Sequence, residues 1–122
     1  MKHEQVVYKG TVYDVTAQGL VSEYYRRQNE THDRWNLDET PSEAEVAYCT
    51  TWLQQFATPR KTANRRAGSY GLKHIVERWA GEYVCNGAFI LAACRLAFKI
   101  IPDDPLSPNA HFCLNYAREA LR

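Results

Sequence analysis

A chain of 122 residues with 45 % apolar content, 15 Lys+Arg and 14 Asp+Glu carries a net charge of +1, the values of an ordinary soluble globular domain. Collagen-like, disordered and membrane-spanning classes are excluded, since no run approaches the ~18 uncharged apolar residues of a spanning helix. A domain of this size buries roughly two-thirds of its unfolded surface, so folding requires neither a metal nor a disulfide, and no cofactor is expected.

In chain order, residues 6–15 are rich in β-branched and aromatic types around Gly10 and suit a short hairpin or an irregular N-terminal strand. From about Thr16 to Gln28, Leu20, Val21, Tyr24 and Tyr25 recur at helical spacing, with Gly19 weakening that helix by about 1 kcal/mol relative to Ala. The polar stretch from Asn29 to Glu39 reads as a loop anchored by Trp35 and Leu37. Thr40-Pro41-Ser42-Glu43 is a helix start, with Thr40 as cap, Pro41 in the first position and an acid facing the positive dipole end. Val46, Cys49, Leu53 and Phe56 then form one buried stripe, and Pro59 stops the helix. A basic linker runs to Gly68. Ser69 caps a short helix over 70–79, whose apolar face is Leu72, Ile75, Val76 and Trp79. After Gly81, Asn86-Gly87 opens a helix to about Lys99. From Ala88 to Cys94 it is apolar on every side, the mark of a helix surrounded by protein. Pro102, Pro105 and Pro108 break the chain, and Ser107-Pro108 caps a final helix in which Ala110, Cys113, Leu114, Ala117 and Leu121 share a face. The expected architecture is mainly α: one compact domain over 1–122 of four or five short helices, with room for a β-hairpin at the N-terminus. It divides into an acidic half (1–57), a basic linker (58–68) and a helical core (69–122).

The flat net charge hides an uneven layout. Residues 1–57 hold five bases and nine acids, a balance of −4, and residues 58–122 hold ten bases and five acids, a balance of +5. Between Glu45 and Glu77 there is no acid, and the gap contains Arg60, Lys61, Arg65, Arg66 and Lys73. A flexible basic arm suits phosphate tracking or minor-groove entry, each phosphate contact adding about one unit of salt dependence. The competing readings are a solvated linker and ion pairing with the acidic half. The helices at 70–79 and 87–99 have a helix-turn-helix-like outline. The second offers only Asn86, Arg95 and Lys99 as polar groups, too few to read base edges. Lys73, His74 and Arg78 are therefore the expected companions of the arm, with Arg95 and Lys99 as secondary backbone contacts.

Cys49, Cys85, Cys94 and Cys113 and His3, His32, His74 and His111 lack zinc-knuckle spacing, and only His111 and Cys113 lie close. Buried reduced thiols and no metal are expected. A catalytic reading would pair His74 with Glu77 and take Cys85 or Ser69 as nucleophile. No third orienting group and no glycine-rich phosphate loop accompanies them, so the chain is not expected to be an enzyme. Tyr24-Tyr25-Arg26-Arg27 and Trp52 could anchor an interface, although core packing explains most aromatics more simply. Met1-Lys2-His3-Glu4 lacks the apolar stretch of a secretory signal, which leaves the cytoplasm as the expected location.

The stretch Ser69-Tyr70-Gly71-Leu72-Lys73-His74, then Glu77, Gly81-Glu82-Tyr83-Val84 and Asn86-Gly87-Ala88-Phe89-Ile90 with Ala92-Ala93, resembles a group of small uncharacterised proteins of bacteriophages and integrated mobile elements. The likeness covers about residues 58–100, with Pro59-Arg60-Lys61-Thr62 in the same pattern and Cys85 where small polar residues are usual. It implies a source, the bacterial host cytoplasm, and a non-catalytic binding role rather than a reaction. Two partner classes follow. One is nucleic acid, bound through Arg60, Lys61, Arg65, Arg66, Lys73, His74 and Arg78. The other is a host nucleic-acid-binding protein complex, blocked by protein–protein contact in anti-CRISPR or anti-restriction fashion. For that second class the acidic face Asp33, Asp38, Glu39, Glu43 and Glu45 would cover the target's groove. No membrane partner is expected.

Overall fold

The computed structural model describes residues 3–30 and 37–121; the expected anchor Trp35 and the acid Asp33 lie outside them. Strands β1 (Gln5–Tyr8) and β2 (Thr11–Thr16) pair antiparallel across Lys9-Gly10, whose φ angles are 49° and 80°. Two successive positive φ values give the turn whose twist matches flanking strands. Strand β3 (Gly19–Val21) joins β2 after a two-residue turn, so the helix expected from Thr16 is displaced. It begins only at α1 (Glu23–Asn29), where the Ser22 hydroxyl accepts from the Tyr25 N–H at 3.1 Å.

Helix α2 (Glu43–Phe56) starts two residues later than the Thr40 cap implied, with Ser42 as its N-cap. Its end runs directly into β4 (Ala57–Pro59). Helix α3 (Ser69–Ala80) is capped by the Gly68 backbone and not by Ser69, whose buried hydroxyl instead accepts from the Ala110 N–H at 3.1 Å. Gly81, left-handed at φ 71°, closes it. Helix α4 (Asn86–Arg95) stops four residues short of Lys99, and Ala97 at φ 64° turns the chain away.

The mainly α expectation fails from residue 100 onward. Strands β5 (Ile100–Pro102), β6 (Ala110–Phe112) and β7 (Leu114–Tyr116) occupy the segment read as a proline-broken turn and a final helix, with only a 3₁₀ turn at Arg118–Leu121. The described residues form an α/β fold with four helices and seven strands in three small sheets. The physical reason is that residues 110–116 find backbone partners in remote segments and bury Ala110, Phe112, Cys113 and Leu114 against the core. Their partners are remote: β6 pairs with β5, and β7 with β4 across more than fifty residues, Ala57 opposite Tyr116.

The core is centred on α2 against α4. Trp52, offered by sequence as a surface anchor, is fully buried, its ring 6.0 Å from Phe89, which stands 5.1 Å from Phe112. All residues from Asn86 to Ala93 are buried. Helix α4 starts on the β2–β3 turn, where the Gly87 N–H donates to Ala17 O at 3.1 Å, and a Cβ on Gly87 would lie 1.6 Å from Thr16 O. Only a glycine permits that approach. Among the described residues no helix is long and apolar enough to cross a membrane.

Candidate functional site

Residues 60–68, read as a flexible arm, are instead tied to the segment that holds β6 and β7. The Arg60 N–H donates to Cys113 O at 2.9 Å and the Asn64 N–H to Phe112 O at 3.0 Å, while Phe112 returns its N–H to Ala67 O at 3.0 Å. Asn64 is the staple: Nδ2 donates to Leu114 O at 3.0 Å, and Oδ1 accepts the Arg66 N–H at 3.0 Å. The Tyr116 hydroxyl closes the other side on Arg66 O at 3.1 Å. An asparagine bonding the backbone two residues on is a turn signal that was available in the sequence; its bond across to β7 was not.

Arg60, Lys61, Arg65 and Arg66 all project from this fixed loop and are exposed. Arg60 touches Asn115 Oδ1 at 3.4 Å and Thr62 Oγ1 at 3.1 Å. None of the four makes an ion pair with a described residue.

The rest of the expected basic surface is divided. Lys73 is 7 % exposed, turned inward, with Nζ donating to Val84 O at 2.9 Å and to Glu77 Oε1 at 3.3 Å. It is not available as a phosphate contact. His74 and Arg78 are exposed on the outer side of α3. His74 is held by Glu77 at 2.7 Å and meets the Tyr70 ring edge-on at 4.5 Å. Arg95 is enclosed by Glu4 and Glu43, at 2.7 and 2.8 Å. Their hydrogen bonds, Glu43's first, push its pKa further up. Lys99 is exposed.

Of the acidic face, Asp38 meets Arg26 at 2.8 Å and His3 at 3.4 Å. Glu43 is bound to Arg95, and Glu45 Oε1 accepts the Cys85 N–H at 2.7 Å. Glu39 is exposed at the rim of a cleft of about 760 Å³. This cleft, invisible to sequence reading, lies between the Ala17-Gln18 turn, the start of α2, Tyr70 and Lys73 of α3, and the Tyr83–Asn86 segment. Tyr83 and Asn86 fall within the stretch that carried the resemblance, but nothing in their spacing shows that they share a wall.

The thiols are buried or half-buried and unpaired. Cys85 caps α4 and lines the cleft, yet burial pushes its pKa up to about 12, against the weaker opposing hydrogen bond from Ala88. A thiol in that state is protonated at neutral pH and a poor nucleophile. His111 bonds Asp103 at 2.7 Å, and not Cys113, which is buried. Among the described residues no cluster of three His, Cys, Asp or Glu could hold a metal ion. Compared with family models, curated proteins and solved structures, the chain matches none of them.

Proposed function

We propose that the protein is a non-catalytic nucleic-acid-binding protein of phage or mobile-element type. Its phosphate-binding surface is the ordered loop bearing Arg60, Lys61, Arg65 and Arg66, extended by the exposed stripe Tyr70, His74 and Arg78 on α3. The observation that carries this reading is the state of the four loop cations. They stand on a hydrogen-bonded loop without a carboxylate partner among the described residues, while Arg26 and Arg95 are each enclosed by two acids. A loop fixed before binding loses less conformational entropy on a phosphate backbone than a free arm does, and counterion release supplies the driving force. Arg78 stands about 14 Å along α3 from the loop end of that helix, at 1.5 Å per residue, so it would reach a neighbouring phosphate and not the same one.

The rival reading, an inhibitor that blocks a host defence complex by presenting acids, has less support. Asp38, Glu43 and Glu45 are already bonded within the chain. An anisotropy titration with duplex DNA, single-stranded DNA and RNA at low and physiological salt tests the choice. Binding that weakens steeply with salt is expected, and Arg65→Glu with Arg66→Glu should remove it without altering the melting temperature. Absence of binding at low salt would overturn the proposal. Unfolding of the double variant would return those arginines to a structural role.

A further inference from the structure

The cleft beside α3 has a chemistry opposite to that of the basic loop. Two carboxylates, Glu39 and Glu45, and the Thr40 and Ser42 hydroxyls line one side. Tyr70 and Tyr83, 60 % and 65 % exposed, flank the other. Among the described residues that line the cleft the one cation is Lys73, already committed to Glu77 and Val84 O, with its ammonium 5.7 Å from the Tyr70 ring centre and 4.9 Å from that of Tyr83.

Asn86 supplies an independent observation. It is 9 % exposed and lines the cleft, and its Nδ2 faces three acceptors: Gln18 O at 3.0 Å, Asn109 Oδ1 at 3.1 Å and Pro108 O at 3.2 Å. Those contacts fix which way the amide points. Its Oδ1 is thereby left buried without a donor, a state that costs free energy in a folded protein. The charged groups that line the cleft besides Lys73 are therefore carboxylates, and its buried unsatisfied atom is an acceptor. Among the described residues, an anionic ligand would meet two carboxylates and no uncommitted cation. A cation with several N–H groups would meet carboxylates and two aromatic faces that already tolerate a positive charge, in a cleft whose wall holds the unsatisfied Asn86 Oδ1. The volume, about 760 Å³, exceeds a lone ammonium ion and lies within the range of small-molecule sites.

We propose that this cleft binds an organic cation, an alkyl guanidinium or alkyl ammonium, with its charge against Glu39 and Glu45 and its alkyl chain along Tyr83 and Tyr70. The proposal does not use the loop cations Arg60, Lys61, Arg65 and Arg66, and Tyr70 alone is common to the cleft and the surface proposed for nucleic acid. The cation can come from an arginine side chain of a peptide or from a free polyamine, and the probes separate the two. Amide chemical shifts of the full chain would be followed with N-acetyl-arginine amide, spermidine, the neutral isostere N-acetyl-citrulline amide, and adenosine monophosphate.

One or both cations should shift resonances of Tyr83 and Asn86 at millimolar concentration, and the isostere and the nucleotide should not. Glu39→Gln and Tyr83→Ala should each weaken the cation by about tenfold, the size of one ion pair or cation–π contact. Both side chains are exposed, so both variants should keep the parent's melting temperature. Arg65→Glu with Arg66→Glu should leave the affinity unchanged. Response to the peptide analogue alone identifies a side-chain source, and response to spermidine alone a polyamine. Equal binding of the citrulline isostere, preference for the nucleotide, or no shift with either cation would overturn the proposal.

Discussion

Arg95 at the end of α4 and Glu43 at the start of α2 meet through two hydrogen bonds, Nη1 to Oε1 at 2.8 Å and Nη2 to Oε2 at 3.1 Å. The same guanidinium reaches Glu4, its Nε donating at 3.2 Å and Nη2 at 2.7 Å. A base from the positive half thus closes on two acids from the negative half. The two halves neutralise each other here, whereas the cations of loop 60–66 pair with no carboxylate among the described residues. Because the cluster is largely exposed and screened by water, its contribution is modest. Arg95→Met should lower the melting temperature less than any core substitution does, and the difference should shrink in high salt. A salt-independent loss would show that the guanidinium acts through packing.

Acid should weaken the fold through two carboxylates. Burial alone would raise the pKa of Asp14, but hydrogen bonds from Gln5 and Arg26 outweigh it and hold it below its ordinary 3.8. Hydrogen bonding to Arg95 holds Glu43 below its ordinary 4.5. A carboxylate depressed in the folded state binds fewer protons folded than unfolded. Its stabilisation is complete above the ordinary value and is lost as pH falls below it. Melting temperatures should therefore decline below about pH 4.5, the unfolded value of a glutamate, and Asp14→Asn should flatten part of that decline. An unchanged acid slope in the variant would place the acid sensitivity elsewhere.

The loop prediction separates order from charge. Asn64→Ala removes the bonds to Leu114 O and the Arg66 N–H while keeping all four cations, and should cost about 1–2 kcal/mol of stability. Nucleic-acid affinity should fall with it, at an unchanged salt dependence. Lys61→Ala should instead leave stability intact and reduce the salt slope by about one unit. If Asn64→Ala leaves affinity untouched, the loop's fixed geometry is irrelevant to binding.

Two glycines on helices should respond oppositely. A Cβ at Gly87 would lie 1.6 Å from Thr16 O, against rigid backbone, so Gly87→Ala should destabilise by more than about 3 kcal/mol, beyond ordinary overpacking. Gly71 in α3 has open space where a Cβ would go, and Gly71→Ala should stabilise by about 0.5–1 kcal/mol. Denaturant melts of the two variants check the contrast, and a tolerated Gly87→Ala would refute the close approach of α4 to the β2–β3 turn.

Cys85 should resist alkylation. It lines a cleft, yet is 8 % exposed with its pKa pushed up to about 12, so iodoacetamide at pH 8 should label the folded protein far more slowly than the unfolded chain. Rapid native labelling would reopen a nucleophilic role for this thiol.

Periodicity was sufficient for α2 and α3, and all-round apolarity for the burial of α4, because those signals are local and each helix carries its own hydrogen bonds, but the caps expected at Thr40 and Ser69 fell to Ser42 and Gly68. The clustering of Arg60, Lys61, Arg65 and Arg66 in an acid-free stretch was legible, but whether they face solvent or pair with the acidic half was left open by sequence and decided by the fold. Residues 110–116 were not legible: three-residue strands have no periodicity to read, and what makes them strands is β4 and β5, distant in sequence. The inward turn of Lys73 was hidden for a related reason, since a lysine on an exposed-looking helix position gives no sign that Val84 O and Glu77 await its ammonium. Tertiary structure alone converted the arm into a stapled loop through Asn64 and brought Glu39, Tyr83 and Asn86 to one cleft. Local chemistry is written in neighbouring residues, whereas pairing partners and cavity walls exist only once remote segments have packed.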